Sequence, residues 1–207
     1  MEKAVVEPIK QGQTGINGAE ASSQPNKSMN IQQKIKALAH DAASELVANR
    51  RHLHSHPELS FHEVETQKYV AQKLTEMGLQ PTPIANTGLV VVIEGRNPDQ
   101  KVVGLRADMD ALPIVEANDV PYKSQNPGVM HACGHDAHTA IGLGVAELLA
   151  RHRDQWGGVA KFVFQPAEEI IAGAKAMIQD GVLDHPKPTR ALSMHVSSME
   201  PVGTVQM

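Results

Sequence analysis

The sequence predicts an α/β fold, a mixed and largely parallel sheet flanked by helices, from three features. Short β-branched runs alternate with segments of helical period. The strand, helix, strand order calls for right-handed crossovers, which make the connected strands parallel. A length of 207 residues with 41% hydrophobic content is enough to bury a sizeable core. The scarce aromatics, one Trp, two Tyr and three Phe, leave that core to small apolar residues and offer no stacking platform for bases.

The elements follow in order. Residues 1–29 are polar, contain Gly and Ser without period, and read as a flexible tail, leaving 30–207 as the folded part. From Ile31, the apolar positions Ile35, Leu38, Ala42, Leu46 and Leu53 recur at helical spacing, and the helix must stop before Pro57. A second helix is expected from a capping box of Ser60 with Glu63, an apolar face of Val64, Val70, Ala71 and Leu74, and a left-handed stop at Gly78. The runs 88–95 and 101–107 read as paired strands joined by the turn 96–100. After a loop over 112–128, Asp136 is the expected cap of a helix whose inner face is Ile141, Val145, Leu148 and Leu149. Strands at 159–164 and 191–196, a helix at 173–179 closed by Gly181, and the start of a fifth strand at 203–207 complete the reading. Parallel strands at 102–107, 159–164 and 191–196 put their carboxyl ends on one edge, where ligands of open α/β sheets bind.

Several function classes drop out. A net charge of −4 argues against a nucleic-acid or anionic-membrane partner. No window approaches the ~18 apolar residues of a membrane span, and the first residues lack a signal peptide's basic flank and apolar stretch, so the cytoplasm is the expected location. The single cysteine, Cys133, forbids an intrachain disulfide.

Eleven histidines are the compositional anomaly, and seven fall in two groups: His52, His54, His56 and His62, then His131, His135 and His138. At the expected strand ends lie Asp108 and Asp110, then Glu168 and Glu169, then His195. Thiol, imidazole and carboxylate arriving from separate segments are the ingredients of a transition-metal site, and one cysteine rules out a Cys-x-x-Cys ribbon. Cys133 reads either as a small buried hydrophobe or, beside Gly134 and His135, as a ligand. Glu168 and Glu169 are either a solvated pair or a division of labour, one binding metal and the other moving protons. His195 reads as a ligand over a core histidine. His131 and His138 are either supports that orient ligands or surface polarity, and the His52, His54, His56 group is mainly structural. A third reading makes Cys133 and His135 a thiol nucleophile and its base, but leaves the two glutamates and His195 unexplained.

Taken together, RRHLHSHPELSFHEVE, LRADMDALPIVE, MHACGHDAHTA and FQPAEE, in this order, resemble the metal-dependent amidohydrolases that include hippurate hydrolase, N-acyl-L-amino-acid amidohydrolase and indoleacetyl-amino-acid hydrolase. The resemblance covers roughly residues 45–207. It implies the catalytic domain of the zinc-dependent exopeptidases, ending before the family's lid or dimerisation domain and a C-terminal segment with one more His ligand. By motif it implies Cys133, His135, Glu169 and His195 as ligands, with the thiolate bridging two ions, and Glu168 as general base to a metal-activated water. Asp108 and Asp110 fall to support. The implied cofactors are two divalent ions, manganese or zinc; the implied substrate is a small N-acyl amino acid; and relatives are expected to dimerise through the lid. An inert metal-binding fragment is the alternative expectation.

Overall fold

A computed structural model describes residues 30–206; the expected tail lies outside the described residues. These residues fall into two units, one of 30–37 with 197–206 and a larger one of Leu38–Val196. The helix expected from Ile31 is two helices, α1 (Ile31–Asp41) and α2 (Ala43–Ser55), followed by α3 (Val64–Glu76). Then come β1 (Thr82–Ile84), β2 (Gly88–Glu94), β3 (Val102–Asp108), α4 (His135–Arg151), β4 (Val159–Gln165), α5 (Gly173–Gln179) and β5 (Arg190–Ser193).

The five strands form one mixed sheet in the order β1-β2-β4-β3-β5. β3 runs parallel to both β4 and β5, as the crossovers require, and β2 runs antiparallel to β4. The expected pairing of the 88–95 and 101–107 runs is therefore wrong, because β4 lies between them. β-branched composition identifies strands without choosing their partners. The partner is set at the end of β2, where Gly95 N–H donates to Gly158 and Arg96 N–H donates to Trp156. Trp156 lies so close that a Cβ at Gly95 would come within 2.6 Å of its ring. β4 is also buried along nearly its whole length, as befits a central strand.

Alternation along the strands divides the core. Leu89, Val91, Ile93, Ala160, Phe162 and Phe164 face Val70 and Leu74 of α3 and Leu143 and Ala146 of α4. The other face carries a smaller cluster of Ala85, Met177 and Val182. α4 approaches the sheet closely through Gly142, where a Cβ would stand 3.0 Å from Phe164.

Four expectations about the elements are corrected. Ser60 and Glu63 form no capping box: Ser60 Oγ donates to Asp110, and the first turn of α3 is capped by Glu58, which accepts from the N–H groups of Glu65 and Thr66. Asp136 does not cap α4; Gly134 stands at that position with φ +91°, and Asp136 turns into the interior. β5 ends at Ser193 rather than 196, and residues 203–206 form no strand. The stops at Gly78 and Gly181 have the expected left-handed φ, +76° and +82°. No helix among the described residues is long and apolar enough to cross a membrane.

Candidate metal centre

The carboxyl ends of β3, β4 and β5, with the amino end of α4, deliver the site. Asp108 closes β3 and Asp110 follows it; His135 and His138 lie on one face of the first turn of α4; Cys133 precedes α4 across Gly134. Glu168 and Glu169 ride on a tight turn after β4. Ala167 and Ile171 take left-handed φ of +50° and +57° in that turn, and Gly173 closes on Pro166 O so tightly that no Cβ fits. Glu63, fully buried, holds the turn by accepting from Ala167 N–H (2.8 Å) and Thr87 Oγ (2.5 Å).

Among the described residues, three overlapping sets of side chains offer ligand atoms that all lie within 4.8 Å of one another: Cys133, His135 and His195; Asp108, His135 and His138; and His135, Glu168 and Glu169. His135 is common to all three and is 1% exposed. Its Nδ1–H donates to the carbonyl of Asp110 at 2.8 Å, so Nε2 presents a lone pair. Around Nε2 stand Asp108 Oδ2 at 3.7 Å, Glu168 Oε2 at 3.8 Å and Glu169 Oε1 at 3.9 Å. Neither His135 Nε2 nor Glu169 Oε1 has a hydrogen-bond partner, although both are buried. Two of these four atoms, His135 Nε2 and Glu169 Oε1, are thus buried without a partner beside Asp108 Oδ2, which also accepts from Arg106, and the more exposed Glu168 Oε2; a buried unpartnered acceptor costs about 1–3 kcal/mol, a cost that a cation among them would remove. The residues thus fit a divalent ion held by imidazole, carboxylate and thiol.

The electrostatics agree. Burial pushes the Cys133 thiol up, and Glu169, Glu168 and Asp108 add to it, to about 11. That is the reverse of an activated thiol nucleophile, which needs a neighbouring positive charge. Its hydrogen-bond partner is His195, with Sγ and Nε2 3.3 Å apart, rather than the His135 of the thiol-nucleophile reading. Burial raises the Asp110 carboxyl, yet hydrogen bonds from His135, Ser60 and the backbone N–H groups of Glu168 and Glu169 outweigh it and hold the group at about 2. Burial likewise opposes ionisation of Asp108, but His138, His135 and Arg106 bring it below the ordinary carboxylate range.

Of the residues singled out by sequence, the structure brings together Cys133, His135, His195, Asp108, His138, Glu168 and Glu169. Asp110 touches the group through His135 and through Glu169 N–H. His131 joins none of the three sets; it is buried with both ring nitrogens unpartnered, and burial lowers it to about 4. His54 is structural, clasped between Asp136 (2.7 Å) and Glu116 (2.9 Å), with Arg50 also on Asp136. His52 and His56 are exposed, with His52 stacked between His56 and Tyr69.

Sequence reasoning missed Glu63, Glu116 and Arg106. Arg106 was accessible: it lies two residues before Asp108 on one strand, hence on one face, and pairs with its Oδ2 at 2.9 Å. Glu63 and Glu116 act across long loops that leave no periodic signal.

The donor set thus stands at the carboxyl edge of a mixed sheet, where it could hold a divalent ion. Residues 104–207 match the model of Peptidase family M20/M25/M40, and the chain belongs to that family. It is 46% identical over 154 residues to an N-acyl-L-amino acid amidohydrolase of Geobacillus stearothermophilus, covering 73% of this chain and 41% of the relative. It is 46% identical over 162 residues to N-acetylcysteine deacetylase of Bacillus subtilis, covering 77% and 42%. A dinuclear metal binding peptidase of the M20 family from Bacillus subtilis superposes with a TM-score of 0.74 at 43% identity, covering 81% of this chain and 45% of that one. The chain therefore spans about two fifths of the length of the curated relatives it matches.

Proposed function

We propose that this chain carries a divalent-metal centre for hydrolysing the amide bond of N-acyl amino acids, with Cys133, His135, Glu169 and His195 as ligands and Glu168 as general base. The observation that carries the reading is the pair of buried, unpartnered acceptors His135 Nε2 and Glu169 Oε1, with the Asp108 and Glu168 carboxylates beside them. The relatives named for N-acyl-amino-acid and N-acetylcysteine hydrolysis support the substrate class, and the dinuclear Bacillus subtilis peptidase supports two ions, zinc or manganese by donor type.

When bound, a divalent ion supplies Lewis acidity, polarising a carbonyl and acidifying water. The chain's own residues do the rest. Glu168, 39% exposed, is the carboxylate with access to an incoming water, while the more buried Glu169 is better placed to hold an ion. Glu168 accepts a proton as the water oxygen bonds to the amide carbon, then returns it to the departing nitrogen as the C–N bond breaks, giving a carboxylate and a free amino acid. Asp110 orients His135 through its backbone carbonyl and holds Glu169 N–H on its carboxylate.

The test is hydrolysis of hippurate and N-acetyl amino acids with added Mn²⁺ or Zn²⁺, against Glu168→Gln. Turnover in the wild type, a loss of about 10²-fold or more in the variant, and unchanged metal content are expected. Parallel loss of metal would reassign Glu168 as a ligand. Bound metal without turnover in the wild type would leave a binding centre and reject activity for this chain.

A further inference from the structure

Among the three sets of ligand atoms, the one containing Asp108 and His138 is already satisfied. Asp108 Oδ2 takes the Arg106 guanidinium at 2.9 Å, and Oδ1 takes His138 Nδ1 at 2.5 Å. His138 is 2% exposed, and its other nitrogen, Nε2, accepts the backbone N–H of Val196 at 2.9 Å. An imidazole that accepts at Nε2 carries its proton on Nδ1. His138 therefore has no lone pair left for an ion. The peptide units around Val196 are engaged again on the other side, where the Val196 carbonyl accepts from His195 Nδ1 at 2.7 Å. That bond leaves the lone pair of His195 on Nε2, the atom 3.3 Å from Cys133 Sγ.

We propose that His138 is a positioning residue rather than a ligand: anchored by Asp108 and Arg106, it grips the Val196 N–H and so fixes the tautomer and aim of His195 toward Cys133. Val196 is seated by packing as well. Its Cγ2 lies where a Cβ on Gly134 would fall, 2.2 Å away, so the Cys133-Gly134-His135 turn and the His195-Val196 turn fit together only with glycine at 134. Gly134 also has φ +91°, a conformation that disfavours any side chain. A histidine ligand whose second nitrogen is held by a backbone carbonyl is a recurrent device of metal sites. Here that carbonyl is itself steadied through the adjoining N–H by a second, non-ligating histidine.

The inference rests on the metal reading above, and its test separates the two. The full chain is titrated with Co²⁺, following the cobalt–thiolate charge-transfer absorption of Cys133, in wild type, His138→Ala, His138→Gln and Val196→Pro. A glutamine carboxamide offers an NH₂ donor and a carbonyl acceptor, spaced like the two ring nitrogens, and is a poor transition-metal ligand. His138→Gln should keep wild-type affinity and absorption. His138→Ala and Val196→Pro, which remove the acceptor and the donor of the same bond, should weaken cobalt binding roughly tenfold to a hundredfold with circular dichroism unchanged. Equal loss in His138→Gln and His138→Ala would make His138 a ligand, and undiminished binding in His138→Ala would remove its positioning role; either overturns the proposal. Amide exchange at Val196 is read in the metal-free protein. It should quicken in His138→Ala and stay slow in His138→Gln. Should the wild type bind no cobalt, the metal reading fails, and unchanged exchange in His138→Ala would then overturn the grip on Val196 as well.

Discussion

Single side chains set the shape of the glutamate turn. Glu63 enters α3 with no exposure, and burial raises its carboxyl pKa even though Thr87 and the Ala167 N–H pull the other way. Its cost is offset by what it holds: Ala167, at φ +50°, stands immediately before Glu168. Glu63→Ala leaves the Ala167 N–H buried without a partner, a loss of about 1–3 kcal/mol, to which the vacated volume adds. The urea midpoint should fall accordingly, while Glu63→Gln, which keeps one carbonyl acceptor, should lose less. Equal stability of wild type and Glu63→Ala would show that the turn holds itself. The same residue shows why part of the site escaped the sequence. Ser60 and Glu63 have capping-box spacing, but each is drawn to a partner distant in the chain, Asp110 and Ala167, and local spacing carries no record of such partners.

Between elements, the buried polar cluster of His54 joins α2 to the amino end of α4 and to the loop bearing Glu116. The hydrogen bond to Asp136 raises His54 above 6.5; burial opposes it, and Glu116 reinforces it. Burial pushes Glu116 up, but His54, the Ser124 N–H and Asn118 bring it from 4.5 to about 2. A raised histidine stabilises the fold fully below 6.5, and that contribution is lost as pH rises through its folded value. A depressed glutamate stabilises it above 4.5 and loses that contribution as pH falls toward 2. Stability relative to His54→Gln should therefore peak between 4.5 and 6.5, and urea unfolding across pH measures it. A difference that keeps growing above neutrality would mean that His54 is neutral in the folded protein. Strands, helices and glycine stops were legible because alternation, helical period and φ > 0 act locally. The place of β4 between β2 and β3 was not, since it depends on Trp156 closing over Gly95. Asp136 was misread for a similar reason: a helix-start aspartate looks like a cap until His54 arrives from 82 residues away.

Over the whole molecule, the site is a meeting of segments distant in the chain, joined at that edge by hydrogen bonds such as those from Glu169 N–H to Asp110 and from Val196 N–H to His138. His195 comes from the chain after β5, Glu168 and Glu169 from the turn after β4, Asp108 from β3, and Cys133 and His135 from the entry to α4. Without a cation His135 Nε2 and Glu169 Oε1 stay buried and unpartnered at that edge, a cost that ion binding would remove. An ion that binds only this assembled arrangement stabilises the fold by mass action, about 2.7 kcal/mol at a free concentration of about 100 times Kd. For a chain of this size that corresponds to a rise in Tm of roughly 5–10 °C. Calorimetry with saturating Zn²⁺ or Mn²⁺ should show the rise, a chelator should reverse it, and Cys133→Ser with His135→Ala should abolish it. The double variant should also start from a lower metal-free Tm, because His135→Ala empties a buried site and removes the hydrogen bond that the Asp110 carbonyl accepts, so the readout is the response to the ion. A chain whose Tm ignores the ion, or a double variant that still responds to it, would place metal binding elsewhere and leave the buried, unpartnered His135 Nε2 and Glu169 Oε1 without an explanation.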